Sequence, residues 1–309
     1  MLLIIFWIII FLLSLFFLVK SSDYFISYAE KIGSHFGLPS FIIGLLIVSV
    51  GTSLPELITS IIAVLNNSSE IVIGTVVGSN IANILLILGI TVLYVGEMKV
   101  TKRLYSEVLF LIGSITLLII CSFNGSIGII ETILLLALFI YFIIYTIRKK
   151  NYSKTIKRPD IKLYKTIFLL LISMGVIYLS AEYLIKSVIK LSDLFGVGKE
   201  IIAVLFIAIG TSLPELTVSI RAAMHKKPDI AIGNIIGSNI FNILGIIGIS
   251  SLFGAIIIPS TIFIGIMVLV IATILFILFI QDRKISFAEG ITFIIFYAIF
   301  VAYVVFILI

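Results

Sequence analysis

The sequence predicts an all-α polytopic membrane protein, with ten transmembrane helices arranged as two inverted five-helix repeats. Three observations carry that reading: a composition too apolar for water, ten apolar stretches of spanning length, and a long internal repeat whose halves each hold an odd number of helices. Of the 309 residues, 61% are hydrophobic and 12% charged. That is well short of the roughly 25% charged residues with which a soluble domain covers its surface.

A spanning helix takes about 20 mainly apolar residues. Such stretches lie near 2–19, 39–65, 70–94, 105–122, 127–147, 164–185, 197–223, 229–254, 259–280 and 286–308, and they leave no soluble domain over. The first and sixth extend as helix to about 34 and 193. The N-terminus is apolar up to Val19 and carries no basic residue before Lys20. A cleaved signal peptide usually has positive charge ahead of its apolar stretch, so this segment reads as the first helix. The lone Cys121 offers neither an internal disulfide nor a metal cluster.

The net charge of +6 suggests an acidic partner until its distribution is examined. The segment from Arg148 to Lys165 holds eight basic residues against Asp160 alone. With that segment in the cytoplasm and the loops alternating, 18 of the 21 Lys and Arg fall on the cytoplasmic side, leaving out only Lys186, Lys190 and Lys199. This is the positive-inside pattern. It places both termini outside the cell membrane and makes the lipid bilayer, not nucleic acid, the partner that explains the charge.

Residues 51–90 and 210–249 align without a gap at an offset of 159, with 23 of 40 positions identical. The shared core reads GTSLPEL (51–57 and 210–216), then GSNI-x-NIL (78–85 and 237–244). Five helices per half send the second half through the membrane in the opposite sense. Inverted repeats of this kind mark secondary transporters, with the site at the repeat interface near mid-membrane. The division is repeat 1 over 1–148, a basic cytoplasmic linker over 149–163, and repeat 2 over 164–309.

Only Glu56 and Glu215 are acids deep in apolar stretches, and they share one motif position. A charge at the bilayer centre costs from about 2.5 to over 10 kcal/mol and is usually functional. A purely structural acid, hydrogen-bonded to hold helices together, would not explain why its whole neighbourhood is duplicated. That neighbourhood is rich in oxygen: Thr52, Ser53 and Glu56 lie within one turn, as do Thr211, Ser212 and Glu215. Pro55 and Pro214 lack the N–H that would bond the carbonyls of Gly51 and Gly210. Carbonyls freed at membrane depth need protein, water or an ion.

The second motif supplies a facing wall. Ser79 and Asn83 share a helix face, as do Ser238 and Asn242. Gly74 with Gly78, and Gly233 with Gly237, form G-x-x-x-G strips that permit close helix approach. Asn80 and Asn239 lie off that face and read as helix–helix hydrogen-bonding residues. Two carboxylates, two amides, hydroxyls and loose carbonyls suit hard cations such as calcium or sodium. Magnesium clings to its waters and fits less well. Two negative charges match one calcium, or two to three sodium ions over adjacent subsites.

The paired GTSLPE and GSN-x-x-N motifs resemble the two alpha repeats of the calcium/cation antiporter superfamily, in particular its sodium/calcium exchangers. The resemblance covers essentially the whole chain. It implies sodium/calcium antiport by alternating access in a single chain, with Ca2+ and Na+ as transported substrates and no cofactor. It further implies that helices 2, 3, 7 and 8 surround the ions while helices 1 and 6 slide. Carried over position by position, the ligands are Ser49, Thr52, Ser53, Glu56, Ser79 and Asn83, then Ala208, Thr211, Ser212, Glu215, Ser238 and Asn242. Positions 49 and 208 act through backbone carbonyls. Some relatives, including the potassium-dependent branch, have Asp at the position of Asn242, so Asn here resembles the potassium-independent branch. The proton-coupled branch has G-N-x-x-E where this chain has GSNIAN and GSNIFN.

Other readings remain at this stage: proton- or potassium-coupled antiport, a cation channel, or an intramembrane hydrolase using Ser53 or Ser212. The repeat within one chain favours a transporter over a channel. Against an enzyme, His35 and His225 both sit near helix ends, so no Ser–His arrangement is available mid-membrane.

Overall fold

The computed structural model describes residues 2–35, 49–99, 105–149, 162–224 and 228–308. The start of the second predicted span (39–48), most of the basic linker, Lys102, Arg103, His225, Lys226 and Lys227 lie outside the described residues.

Among the described residues, ten helical segments follow the apolar stretches. The first is the long α1 (Leu2–His35), and the second is divided into α2 (Val50–Thr52) and α3 (Leu54–Leu65). The third is α4 (Glu70–Ile81), a π turn (Ala82–Ile87) and α5 (Leu88–Val95), followed by α6 (Tyr105–Ser122) and α7 (Ile129–Lys149). The second half repeats the series. α8 (Leu163–Phe195) leads to a segment made of α9 (Lys199–Ile202), a π turn (Ala203–Ile207), α10 (Ala208–Thr211) and α11 (Leu213–Met224). Then come α12 (Pro228–Ile240), a π turn (Phe241–Ile246) and α13 (Ile247–Ser250), and finally α14 (Ile262–Ile280) and α15 (Phe287–Leu308). The predicted extensions of the first and sixth helices are present, and Gly196, at φ +66°, caps α8 in the left-handed conformation that glycine adopts freely.

Burial sorts the segments into an inner and an outer layer. The segments Glu70–Val95 and Ala231–Phe253 are mostly buried, whereas α1, α7 and α15 are mostly not. The outer helices present Leu, Ile and Phe outward, including Leu12, Phe16, Ile133, Phe168 and Ile299. Such a face is stable only against lipid. The chain is thus an integral membrane protein. α1 and α8 lie along one another and reach the inner layer mainly through α2, α3, α10 and α11.

Among the described residues, four short strands that the sequence does not announce join the halves. β1 (Glu97–Lys99) pairs antiparallel with β4 (Lys284–Ser286), and β2 (Ser126–Ile127) pairs with β3 (Ile256–Ile257). Adding 159 to Glu97 gives Ile256, and subtracting it from Ser286 gives Ile127, so the pairing Glu97↔Ser286 becomes Ile127↔Ile256. Each ladder joins one repeat to the other, and the two ladders are copies under the internal symmetry. They mark opposite faces. Ser69, in the turn between α3 and α4, accepts a hydrogen bond from Ile257 N at 3.1 Å, while the α11–α12 end borders Tyr94, Glu97 and Lys99 on the β1 side.

The close approach expected of G-x-x-x-G is realised at Gly78. A Cβ there would lie 2.8 Å from Ala208 Cβ and 2.8 Å from the Val204 carbonyl oxygen. At Gly233 a Cβ would meet nothing within 4 Å. By the offset of 159 the counterpart of Val204 is Leu45, which lies outside the described residues.

Candidate functional site: a cross-repeat oxygen cage

Proline makes the local geometry. α2 ends at Thr52 and α3 starts at Leu54, with Ser53 between them at φ −88° and ψ 13°. α10 ends at Thr211 and α11 starts at Leu213, with Ser212 at φ −85° and ψ 8°. These breaks fall where Pro55 and Pro214 withhold an N–H. Glu56 and Glu215 consequently sit in the first turns of α3 and α11. The unsatisfied N–H groups of a helix start favour negative charge.

Both carboxylates are fully buried, and they are the only fully buried acids among the described residues. Each is held by the other repeat. Ser53 Oγ donates to Glu215 Oε1 at 2.8 Å, and Ser212 Oγ donates to Glu56 Oε1 at 3.1 Å. Ser79 Oγ adds a longer contact to Glu56 Oε1 at 3.5 Å.

The asparagines form a second cross-repeat unit. Asn80 Nδ2 donates to the Asn239 carbonyl at 3.3 Å, and Asn239 Nδ2 donates to the Asn80 carbonyl at 3.4 Å. Asn83 Nδ2 donates to Asn239 Oδ1 at 2.9 Å, and Asn242 Nδ2 donates to Asn80 Oδ1 at 3.0 Å. Asn80 and Asn239 therefore join helices, as the sequence suggests. Asn83 and Asn242 each spend their donor on this clamp and keep the side-chain oxygen unpartnered. Both lie in π turns, which occur frequently at functional sites.

Five buried oxygens of the predicted ligands have no hydrogen-bond partner: Glu56 Oε2, Glu215 Oε2, Asn83 Oδ1, Asn242 Oδ1 and Ser238 Oγ. Unpaired oxygen of this kind is costly in a dry interior and is what a hard cation takes up. The carbonyl positions differ between halves. Ser49 O accepts from Ser53 N at 3.2 Å and Thr52 Oγ1 at 3.1 Å, whereas Ala208 O accepts from Ser212 N at 3.2 Å, Thr211 Oγ1 turning instead to Ile207 O. Ala208 thus retains more acceptor capacity than Ser49. Sequence reasoning passed over Ser60, Thr75, Ser219 and Asn234, whose signal was polarity four residues from an assigned ligand.

A polytopic helical bundle with oxygen-lined broken helices at its repeat interface belongs to the secondary transporters, not to the enzymes. The sodium/calcium exchanger protein family matches this chain over residues 6–148 and 165–306. The chain belongs to that family. It is 35% identical to the sodium/calcium exchanger MaX1 of Methanosarcina acetivorans, over 79% of this chain and 82% of that protein. An uncharacterized membrane protein of Methanocaldococcus jannaschii is 33% identical over 94% of this chain and 96% of that protein. Among solved structures, the sodium–calcium exchanger NCX_Mj soaked with 100 mM Na+ and 10 mM Sr2+ matches with a TM-score of 0.69 at 32% identity, covering 97% of this chain and 98% of that chain.

Proposed function

We propose that this protein exchanges Na+ for Ca2+ by alternating access, independently of K+ and with net charge movement, and that Glu56 and Glu215 are the shared carboxylates for which the ions compete. The observation that carries the reading is the reciprocal bridging of two buried carboxylates by Ser53 and Ser212, with the second oxygen of each left free. Thr52, Thr211, Ser79, Ser238, Asn83 and Asn242 complete the ligand set, with backbone oxygen from Ser49 and Ala208. Two negative charges balance one Ca2+ or spread over two to three Na+, so neither ion shares the site at full occupancy with the other. Asn at both 83 and 242 keeps the acid count at two, which favours potassium independence.

The working unit is a single chain divided at 1–148, 149–163 and 164–309, in the cell membrane, with both termini outside and the linker in the cytoplasm. The offset-159 symmetry and the loop charges support this arrangement. Uptake of radioactive calcium into proteoliposomes loaded in turn with Na+, K+ or H+ tests the coupling. Sodium-loaded vesicles should take up calcium without potassium. If more than two Na+ leave per Ca2+, an inside-positive potential should accelerate uptake. Equal uptake on a proton gradient in sodium-free buffer would assign the protein to the proton-coupled branch.

A further inference from the structure

Four polar residues recur one helical turn away from the carboxylate layer. Ser60 follows Glu56 by four positions and Thr75 precedes Ser79 by four, and Ser219 and Asn234 stand in the same relation to Glu215 and Ser238. Residues four apart share a helix face. Because α3 and α4 run antiparallel, stepping forward from Glu56 and back from Ser79 moves in one direction, toward the turn at 66–69. The same construction leads from Glu215 and Ser238 toward the α11–α12 end, on the opposite membrane face. In the second half the pair meets: Asn234 Nδ2 donates to Ser219 Oγ at 3.4 Å and to the Glu215 carbonyl at 3.5 Å.

All four side chains are buried, with Ser60 and Ser219 at 0% exposure, Thr75 at 1% and Asn234 at 4%. Ser60 Oγ, Thr75 Oγ1 and Asn234 Oδ1 have no hydrogen-bond partner. Hydroxyls inside these helices ordinarily donate to the carbonyl four residues back, as Thr59, Thr91, Thr211 and Thr273 do. Ser60 and Thr75 forgo that bond. Packing alone would favour Ala and Val at these two positions, since replacing an unsatisfied buried polar group by an apolar one of the same shape is neutral or stabilising.

We propose that these pairs are two access tiers for the transported cation, one between the carboxylates and each membrane face. At each tier a hard cation exchanges hydration water for uncharged protein oxygen before reaching Glu56 or Glu215. The proposal rests on the transport reading above. Uncharged oxygen suits the role, because a passage site must bind strongly enough to admit an ion and weakly enough to release it. The tiers differ, with two hydroxyls on the β2–β3 face and a hydroxyl with an amide on the other. Each therefore governs access from its own side.

The variants are Thr75→Val, Ser60→Ala and Asn234→Leu, with Thr75→Ser as the control that keeps the hydroxyl. Thermal stability and equilibrium binding of radioactive calcium are measured on the purified proteins, and unidirectional calcium flux is measured in vesicles of one orientation. Thr75→Val and Ser60→Ala should keep wild-type stability or exceed it and should still bind calcium. Their flux from the β2–β3 face should fall about tenfold, equivalent to about 1.4 kcal/mol in the barrier, while Thr75→Ser retains it. Asn234→Leu should slow flux from the opposite face. Wild-type flux in stable Thr75→Val and Ser60→Ala would overturn the tiers while leaving calcium transport intact. A wild-type protein that neither binds nor moves calcium would overturn the transport reading and the tiers with it.

Discussion

At the scale of single residues, Glu56 and Glu215 each bury a charge that a bilayer tolerates only at a cost of several kcal/mol. Glu56→Gln and Glu215→Gln should each abolish calcium transport while leaving a folded protein. The amide preserves shape and can still accept from Ser212 or Ser53, but the charge that offsets a divalent ion is gone. Normal flux in either purified variant would exclude that acid from the site. Asn242 is a different case. From the sequence, Asn242→Asp should alter ion selectivity more than folding, because it adds a third carboxylate to the proposed cation site. The structure adds a second effect, because Asn242 Nδ2 donates to Asn80 Oδ1 at 3.0 Å. Aspartate has no donor to offer there, and an unmet buried acceptor costs about 1–3 kcal/mol. Asn242→Asp should lose thermal stability in cation-free buffer, recover it with added calcium or potassium more steeply than wild type, and acquire potassium-sensitive calcium flux. Matching melting and flux curves for variant and wild type would remove Asn242 from the site. Which atom of each asparagine is free could not be read from GSN-x-x-N, since it depends on a partner 156 or 162 residues away.

At the scale of elements, the broken helices were legible because proline acts locally, and the breaks at Ser53 and Ser212 fall where Pro55 and Pro214 require them. The π turns at 82–87, 203–207 and 241–246 were not legible. Their sequences read as uninterrupted apolar helix, with no Pro or Gly–Pro signal to mark the widened turn. The strands escaped for a related reason: at two or three residues each they carry no periodicity, and their partners come from the other repeat. Glycine gives the sharpest element-scale test. Gly78→Ala puts a methyl 2.8 Å from Ala208 Cβ and from the Val204 carbonyl oxygen, so α4 must move away from α10. Overpacking of this kind costs about 1–3 kcal/mol, and because Ser79 is the next residue, calcium flux should fall as well. Gly233→Ala, in open space on α12, should be neutral or stabilise by about 0.5–1 kcal/mol through helix propensity. Thermal unfolding of the two variants in detergent distinguishes them. Equal effects would mean that the Gly78 crossing does not constrain the bundle.

At the scale of the whole molecule, two ladders define two faces, and the orientation proposed above from the loop charges puts the β1–β4 face in the cytoplasm. The β1–β4 face carries Lys99, Arg283 and Lys284, while the β2–β3 face lies beside the turn at 66–69. Two of the three basic residues that depart from the positive-inside pattern are matched by carboxylates. Lys199 Nζ lies 3.2 Å from Glu70 and donates to Ser68 Oγ at 3.1 Å, and Lys186 lies 2.6 Å from Glu182. Local pairing thus reduces the positive charge that these lysines present on the side read as external. Single cysteines in a Cys121→Ser background test the orientation, and Cys121, at 2% exposure, is buried enough for its hydroxyl analogue to change little outside. Ser68, in the right loop, is unsuitable because it is 1% exposed and bonded to Lys199. Its neighbour Asn66 is exposed and has an unstrained φ of −90°. On the other face Gln281, at the end of α14, is exposed. A membrane-impermeant maleimide applied to intact cells should label Asn66→Cys directly and Gln281→Cys only after permeabilisation. Labelling of both without permeabilisation would break the alternation of ten segments, and the reverse order would turn the molecule over, carrying Glu70 and Lys199 to the cytoplasmic side and the Lys99 and Lys284 ladder outside, against the charge rule on which the orientation rests.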